Sequence, residues 1–345
     1  MKVLIGVDPH KASVAVAAVN EACQLIEGAR FSQNRAGLRS LERWSRRFPE
    51  RRWAVENAGG LGRHLAGRLS AAGESVVDVP PKLSARVRVL STGNSRKNDR
   101  LDALATALAA WRNERLAAVD PEAVSEVLRL LSERRADLVA ERTRALNRLH
   151  GLLRDLVPGG VAGKLSTHRA ACILRGIRPQ GDSARLRRRL ASEILRDVRA
   201  LERKIADLNE RIEAEVEASG TVLVEIFGVG PLLAAKIIGA VGNVARFPSG
   251  AHFASYSGTA PVEASSGEVV RHRLSLAGNR HLNNALHMVA VCQARSDVRG
   301  GAYYRKKIAE GKSRKEALRC LKRRVSDAVF KSLTADLQAP SRSAA

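Results

Sequence analysis

Four acidic residues in the first third of the chain have the types and spacing for metal-assisted chemistry. Asp8 ends an apolar run, residues 3–7, that predicts a buried strand, and Glu56 ends a second short strand. Asp99 and Asp102 are three residues apart at the start of a predicted helix, so their carboxylates would project from one face. Taken singly, each acid also fits an ordinary cap or turn. Together they predict a site for hard divalent cations, which take oxygen ligands. Two such ions can clamp the attacking and leaving oxygens of a phosphodiester.

The charge balance of the chain points to a polyanionic partner. The 345 residues include 59 Lys and Arg against 35 Asp and Glu, a net charge of +24, which is typical of proteins that bind nucleic acid. Aromatic residues make up only 3%, so phosphate contacts are expected to dominate over base stacking. No apolar run reaches about 18 residues, which favours a protein inside the cell that does not enter a membrane. Four widely separated cysteines favour reduced thiols over a zinc site.

The elements that must position the acids read as an α/β layer arrangement. Residues 1 to about 110 alternate as strand, strand, helix, strand, helix, strand, helix. Open α/β sheets place their chemistry at the carboxyl ends of strands, which is where Asp8 and Glu56 lie. The run Ser75 to Val79 predicts a further strand that Pro80-Pro81 stops, and Leu101 to Trp111 predicts a helix.

The middle of the chain changes to a helical pattern. Apolar residues recur at three- and four-residue spacing over residues 124–156 and again over 186–216. Two long amphipathic helices of this kind predict an antiparallel coiled-coil spacer or a dimerising arm. Arg135 and Arg142 lie at seam positions, which suggests a side that faces nucleic acid.

The last third of the chain carries two features suited to phosphate binding. Gly228-Val229-Gly230-Pro231 opens an apolar helix and resembles a helix-hairpin-helix, whose amides hold a backbone phosphate; the alternative is a tight helical corner that only packs. From Arg299 to Arg324 there are eleven Lys or Arg against Glu310 and Glu316, a density that favours phosphate contact over a merely solvated helix face.

Short motifs along nearly the whole chain resemble one family of mobile-element enzymes. The Asp8, Glu56, Asp99 and Asp102 set resembles the D-E-D-D set of RuvC-like nucleases and, more closely, the DEDD transposases of bacterial insertion sequences, described as bridge-RNA-guided recombinases. The supporting motifs are Gly6-Val7-Asp8-Pro9-His10-Lys11, Val55-Glu56-Asn57-Ala58-Gly59, Asn98-Asp99-Arg100-Leu101-Asp102-Ala103, Gly228-Val229-Gly230-Pro231, Phe253 to Pro261, Ser265-Ser266-Gly267 and Ala277 to Leu282. Pro9-His10 and Asn57-Ala58-Gly59 depart from the usual residues after the first two acids, and neither departure removes a ligand.

The resemblance implies a fold and a domain organisation. It implies a RuvC-like, ribonuclease H-like α/β domain over residues 1–115 and a helical coiled-coil spacer over 120–219. A compact, mainly helical transposase domain over 220–335, with the helix-hairpin-helix-like motif, would follow. Residues 336–345 are expected to form a disordered tail.

The resemblance also implies a mechanism. The four acids would bind Mg²⁺ or Mn²⁺. Ser266, in a Ser-Gly pair after Gly258-Thr259-Ala260-Pro261, would attack DNA and form a phosphoserine link, with Ser265 as the alternative nucleophile. Arg271, His272 and Arg273 follow closely and could stabilise the charge that develops.

The partners implied are donor and target DNA, a bridge RNA encoded by the element, and further copies of the chain in a dimer or tetramer. The active site could be shared between protomers. The place of action would be the nucleoid in the bacterial cytoplasm.

Two other functions fit the same residues. A junction-resolving endonuclease would hydrolyse DNA with the four acids alone, so Ser266→Ala would leave it active. A non-catalytic nucleic-acid-binding protein would use only the glycine turn and the basic C-terminal helices, and Asp102→Asn would then change no more than binding.

Overall fold

The structure is a computed structural model that describes residues 1–92, 99–113, 115–119, 124–263, 272–273 and 278–339. The chain forms two compact units. The first unit comprises Met1–Ala123 with Asn243–Ser249, and the second comprises Val124–Gly242 with Gly250–Ala345. The three-domain division that the sequence suggests stays a prediction.

The first unit is organised around a five-stranded mixed sheet. Its strands, in spatial order β3-β2-β1-β4-β5, are β1 (Val3–Pro9), β2 (Ser13–Val19), β3 (Leu25–Ser32), β4 (Arg51–Glu56) and β5 (Val76–Val79). The central strand β1 pairs antiparallel with β2 and parallel with β4, while β3 and β5 form the edges. The carboxyl ends of β1, β4 and β5 therefore lie side by side along one end of the sheet, which is called the carboxyl edge and is distinct from the edge strands β3 and β5.

Helices cover both faces of this sheet, and the described bounds are α1 (Arg35–Ser45), α2 (Arg63–Ala71), α3 (Pro81–Thr92) and α4 (Asp99–Trp111). One core joins alternate β1 residues, such as Ile5, to α1 and α2. The other core joins Leu4 and Ala54 to α3 and α4. Successive strand residues point to opposite faces, so this division into two cores accounts for the near-continuous apolar run of β1.

The α/β fold class is confirmed, but two elements of the first unit were not predicted. β3 is an edge strand whose residues are mostly exposed or half-buried, so it lacks the apolar alternation that marks a half-buried strand. The helix α3 begins at Pro81, where the sequence analysis expects only a stop. Proline suits the first position of a helix because the amide hydrogen it lacks would have no partner there.

The second unit is mainly helical, as predicted. Its helices are α5 (Val124–Leu156), α6 (Thr167–Gly176), α7 (Gly181–Ala218), α8 (Pro231–Val241), α9 (Gly250–Tyr256), α10 (Arg280–Ala294), α11 (Arg299–Ala309) and α12 (Arg314–Gln338), and its one described sheet pairs β6 (Val262–Glu263) with β7 (His272–Arg273). Among the described residues, no helix is long and apolar enough to cross a membrane.

The two longest helices pack against each other in antiparallel directions. Near one end Arg135 of α5 donates to Asn209 of α7 at 2.6 Å, and near the other end Leu149 shares a core with Ala191. The Arg135 side chain therefore takes part in a contact between α5 and α7. The predicted apolar stripe of α7 is correct from Leu201 onward. Nearer its start the stripe runs through Ala191, Leu195 and Val198, while the predicted Leu186 and Leu190 are exposed.

The ends of the second unit refine two predictions. Gly228 has φ +90° and Gly230 is the N-cap of α8, so the glycine turn opens a helix as expected; a four-residue 3-10 helix, Val222–Glu225, precedes it. The disordered tail predicted from residue 336 is wrong over Asp336 to Gln338, because α12 continues through them. Asp336 accepts hydrogen bonds from the Thr221 hydroxyl at 2.6 Å and the Val222 amide at 2.9 Å, which fix the end of α12. Residues 340–345 lie outside the described part.

Candidate active site

Asp8 and Glu56 lie side by side at the carboxyl edge of the sheet. Val7 of β1 pairs in parallel register with Val55 of β4, so the next residue of each strand is an acid at the same level. Adjacent strands run about 4.8 Å apart, and level residues of parallel strands point to the same face. Asp8 is buried and Glu56 is half-buried. Both carboxylates therefore lie on the same face of the sheet, at its carboxyl edge.

The helix α4 brings Asp102 to that same face. A Cβ placed on Gly6 would lie 2.2 Å from the Ala103 carbonyl oxygen and 2.5 Å from the Ala107 amide nitrogen, so α4 approaches β1 as closely as a glycine allows. Gly6 and Asp8 are two residues apart on β1, hence on one face. Asp102 adjoins Ala103 and is only 4% exposed. Three of the four predicted acids thus come from elements packed around one edge.

The remaining predicted residues are described less fully. Asp99 is the first residue of α4, but its side chain lies outside the described part of the structure. Ser265 and Ser266 lie outside it altogether, as do Arg271 and the side chains of His272 and Arg273. Their roles stay predictions.

Two basic side chains that the sequence did not single out as partners contact the buried acids. His10 Nε2 lies 3.1 Å from Asp8 Oδ2, and Arg88 of α3 forms an ion pair with Asp102 Oδ1. The spacing of His10, two residues after Asp8, was a usable signal. No signal marked Arg88, which is 14 residues from its partner and lies on a helix that was not predicted.

The donor chemistry of this edge suits a hard divalent cation. Its acids offer only carboxylate oxygens, and Asp102 Oδ2 is buried with no hydrogen-bond partner among the described residues, which leaves an oxygen available as a ligand. Among the described side chains, which exclude that of Asp99, no group of three or more His, Cys, Asp or Glu is placed to hold a metal ion. In the arrangement seen here, Arg88 therefore supplies positive charge to the buried carboxylate of Asp102, and His10 contacts that of Asp8.

A further acid of the sheet, Asp78, faces the other way. It pairs in register with Val55, one residue before Glu56, and therefore points to the face of α1 and α2. Its Oδ1 accepts a 2.7 Å hydrogen bond from the Ala58 amide, and burial raises the pKa of its carboxyl. Asp78 is thus a structural acid that holds the loop after Glu56.

In the second unit, the turn before the predicted nucleophile is held by the half-buried Asn283 and the buried Lys322. Asn283 donates to the carbonyl oxygens of Ser257 at 2.7 Å and Gly258 at 3.2 Å. Lys322, only 7% exposed, donates to Asn283 Oδ1 at 2.8 Å, and burial lowers the pKa of its ammonium group. These contacts fix the start of the segment that leads to Ser266.

Comparisons with known proteins place the chain among the transposases of insertion sequences. Residues 5–158 match a family model for DEDD transposases of the IS110 type, and residues 220–305 match a model described as transposase, IS116/IS110/IS902 family. The chain is 26% identical to the 44.8 kDa protein of insertion element IS116 from Streptomyces clavuligerus, over 95% of this chain and 94% of that protein. It is 27% identical to the 42 kDa protein of IS900 from Mycobacterium paratuberculosis, over 92% of each.

A search of solved structures found Thermus thermophilus RuvC in complex with a Holliday junction substrate. The match has 17% identity and a TM-score of 0.28, and it covers 34% of this chain and 100% of that chain.

Proposed function

The chain belongs to the IS116/IS110/IS902 family of transposases, and from that premise we propose that it excises and inserts an insertion sequence by metal-assisted cleavage and rejoining of DNA strands. The observation that supports this most strongly is that Asp8 and Glu56 end neighbouring parallel strands on one face of the sheet, and that α4, which carries Asp102, packs against β1 on that face. Acidic side chains are held there although the protein as a whole carries a net charge of +24.

Asp8, Glu56, Asp99 and Asp102 would hold Mg²⁺ or Mn²⁺. A bound divalent ion supplies Lewis-acid stabilisation of the charge that develops on phosphate oxygens. The chain's own part is to hold the carboxylates level and largely away from water. It also provides Arg88, which pairs with Asp102 Oδ1 and leaves Oδ2 of the same carboxylate for a cation. His10 Nε2 lies against Asp8 Oδ2, so a cation bound to that oxygen would have to displace the imidazole.

Ser266 would be the nucleophile of the strand-transfer step. Its Oγ would attack a phosphorus atom of DNA, forming a phosphoserine bond while the bond to the leaving strand oxygen breaks and that oxygen takes up a proton. Attack on the phosphoserine by the hydroxyl of another strand end would reverse these changes and release the serine. The number of phosphate ester bonds is conserved, so no external energy source is needed.

The partners beyond DNA follow from the family resemblance. A bridge RNA encoded by the element would select the donor and target by base pairing. The chain would act as a dimer or tetramer, at the nucleoid in the bacterial cytoplasm. The paired helices α5 and α7 offer a surface for association, since Leu186 and Leu190 of α7 are exposed apolar side chains.

Strand cleavage with matched acid variants tests the metal site. Protein co-expressed with the noncoding DNA that flanks its gene would be incubated with labelled donor and target DNA and Mg²⁺. Asp8→Asn, Glu56→Gln and Asp102→Asn should each abolish cleavage, whereas Asp78→Asn should leave it, because Asp78 faces the opposite side of the sheet. Equal loss in all four variants would contradict the assignment, as would activity that survives Asp102→Asn.

A further inference from the structure

A cavity of about 590 Å³ lies in the second unit, between the glycine turn before α8 and the basic helices α11 and α12. The side chains that matter to its chemistry are Phe227, Gln293, Arg299, Tyr303, Leu321 and Arg324. Apolar walls with a few polar groups are the usual make-up of a ligand pocket. Its volume is large enough for a single nucleotide, and the family assignment leaves it without a role.

Phe227 is an aromatic platform at this cavity. It is 49% exposed in a chain with only 3% aromatic residues, so its exposure is not the by-product of an aromatic-rich surface. Its main chain is fixed, because Gln293 Nε2 donates to the Phe227 carbonyl oxygen at 2.8 Å. A half-exposed ring on an anchored main chain can stack on the face of an unpaired base.

The same cavity presents cationic groups suited to a phosphate. Arg299 and Arg324 both line it and are both exposed. Arg324 also lies over the ring of Tyr303, with its guanidinium carbon 5.6 Å from the ring centroid, and its hydrogen bond to Tyr303 raises the pKa of the guanidinium. These contacts hold a permanent positive charge at the cavity, where a phosphate could accept two hydrogen bonds.

Gly300 lies next to the Gln293 side chain at the wall of the cavity. A Cβ on Gly300 would lie 2.2 Å from Gln293 Oε1 and 3.0 Å from Gln293 Cβ, so the absence of a side chain at residue 300 leaves room for Gln293 in its present rotamer. The Gln293 side chain thus contacts both the Phe227 carbonyl oxygen and Gly300 at the start of α11. The aromatic and cationic sides of the cavity are therefore held by one side chain.

We propose that this cavity binds one unpaired nucleotide of single-stranded DNA, with the base stacked on Phe227 and its phosphate held by Arg299 and Arg324. The charge of the surrounding helices favours a polyanion over an apolar peptide, since residues 299–324 carry a net charge of +9, from eleven Lys or Arg and two Glu. The inference rests on the proposed function only in naming DNA as the source of the nucleotide. It assigns a step that the four acids and Ser266 do not perform, the capture of a displaced base.

Fluorescence anisotropy in EDTA tests the pocket without any cleavage. Labelled oligo-dT would be titrated with the full chain, together with an abasic oligonucleotide of the same length and a matched duplex. Phe227→Ala should weaken oligo-dT binding by about tenfold, the effect of losing one stacked base, and should not change binding of the abasic strand or the duplex. Phe227→Trp should retain the affinity, because indole also stacks on a base.

Matched controls separate the pocket from general surface effects. Met288→Ala removes a side chain with a similar exposed fraction, 48%, from the same unit and should leave every affinity unchanged. Replacing Arg299 and Arg324 together by Gln should lower the slope of log affinity against log salt by about 1.4 for oligo-dT, as two lost phosphate contacts require.

The anisotropy measurements can overturn either the base pocket or the choice of DNA. Phe227→Ala that binds oligo-dT like the unmodified protein, or that weakens the abasic strand equally, would overturn the base pocket. Dependence on Phe227 for a matched RNA oligonucleotide but not for DNA would overturn the choice of DNA. Neither result bears on metal-dependent cleavage, which is measured separately on donor and target DNA.

Discussion

The contact between Gly6 and α4 makes the geometry of the acidic edge directly testable. Gly6→Ala would place a Cβ 2.2 Å from the Ala103 carbonyl oxygen and 2.5 Å from the Ala107 amide nitrogen. Both neighbours are backbone atoms, so no change of rotamer can relieve the clash. Ordinary van der Waals contact for such a Cβ begins near 3.4 Å, and α4 would therefore have to retreat from β1 by roughly 1 Å.

That retreat should affect both stability and activity. Overpacking of this kind typically lowers the free energy of unfolding by about 1–3 kcal/mol, and the unrelievable contact places Gly6→Ala at the upper end of that range. Asp102 moves with α4 while Asp8 stays on β1, and a misplacement of about 1 Å can slow a reaction by about 100-fold. We expect Mg²⁺-dependent cleavage to fall by about that factor in protein that is still folded.

Urea unfolding and a cleavage time course measure the two effects separately. Gly59→Ala is the matched control, because a Cβ on Gly59 meets no atom within 4 Å although the residue lies three positions after Glu56; it should behave like the unmodified chain. The reasoning would be refuted if Gly6→Ala kept the original unfolding midpoint. A destabilised variant with an unchanged cleavage rate would refute the placement of Asp102 against Asp8.

Three further predictions concern the charged groups of the chain. Arg88→Met leaves the buried carboxylate of Asp102 without its cation and should lower the free energy of unfolding by about 3–5 kcal/mol in EDTA; Mg²⁺ should recover part of this in urea titrations, and no recovery would contradict a cation site there. Burial lowers the pKa of Lys322, so the folded chain releases that proton before the unfolded chain does, and stability should rise as pH climbs through the lowered pKa towards the unfolded value. Lys322→Met should flatten that rise when unfolding is measured at a series of pH values up to about 10, near the ordinary pKa of lysine. An equal rise in the variant and the unmodified chain would refute the assignment. Affinity for duplex DNA should fall steeply with salt, as expected for a chain of net charge +24, and a flat response in a binding titration would exclude phosphate-dominated binding.

The parts of the fold that the sequence predicts are those with strong periodicity. The apolar run that ends in Asp8 marks the central strand because both of its faces are buried, and the spacing from Leu201 to Val216 marks the seam of α7 because every third or fourth residue packs. β3 is an exposed edge strand and carries no such pattern. Leu186 and Leu190 follow the spacing yet remain exposed, because periodicity defines a stripe on a helix but not what covers it.

The candidate site divides in the same way. The strand-end positions of Asp8 and Glu56 could be predicted because parallel strands end at one edge. The ion pair of Arg88 with Asp102 could not, since it depends on how α3 and α4 pack. The closeness of Gly6 to α4 was likewise visible only in three dimensions, although a glycine inside a strand is a known sign of close backbone approach.

The most direct measurement of the central claim is a search for a covalent link between the protein and DNA. Labelled donor and target DNA would be incubated with Mg²⁺ and protein co-expressed with its flanking noncoding DNA, resolved on a denaturing gel, and any linked peptide mapped by mass spectrometry. The account predicts a protein-linked band mapped to Ser266, absent in Ser266→Ala and Asp102→Asn and present in Ser265→Ala. Cleavage without a linked band, unchanged in Ser266→Ala, would contradict it and would indicate a hydrolytic nuclease.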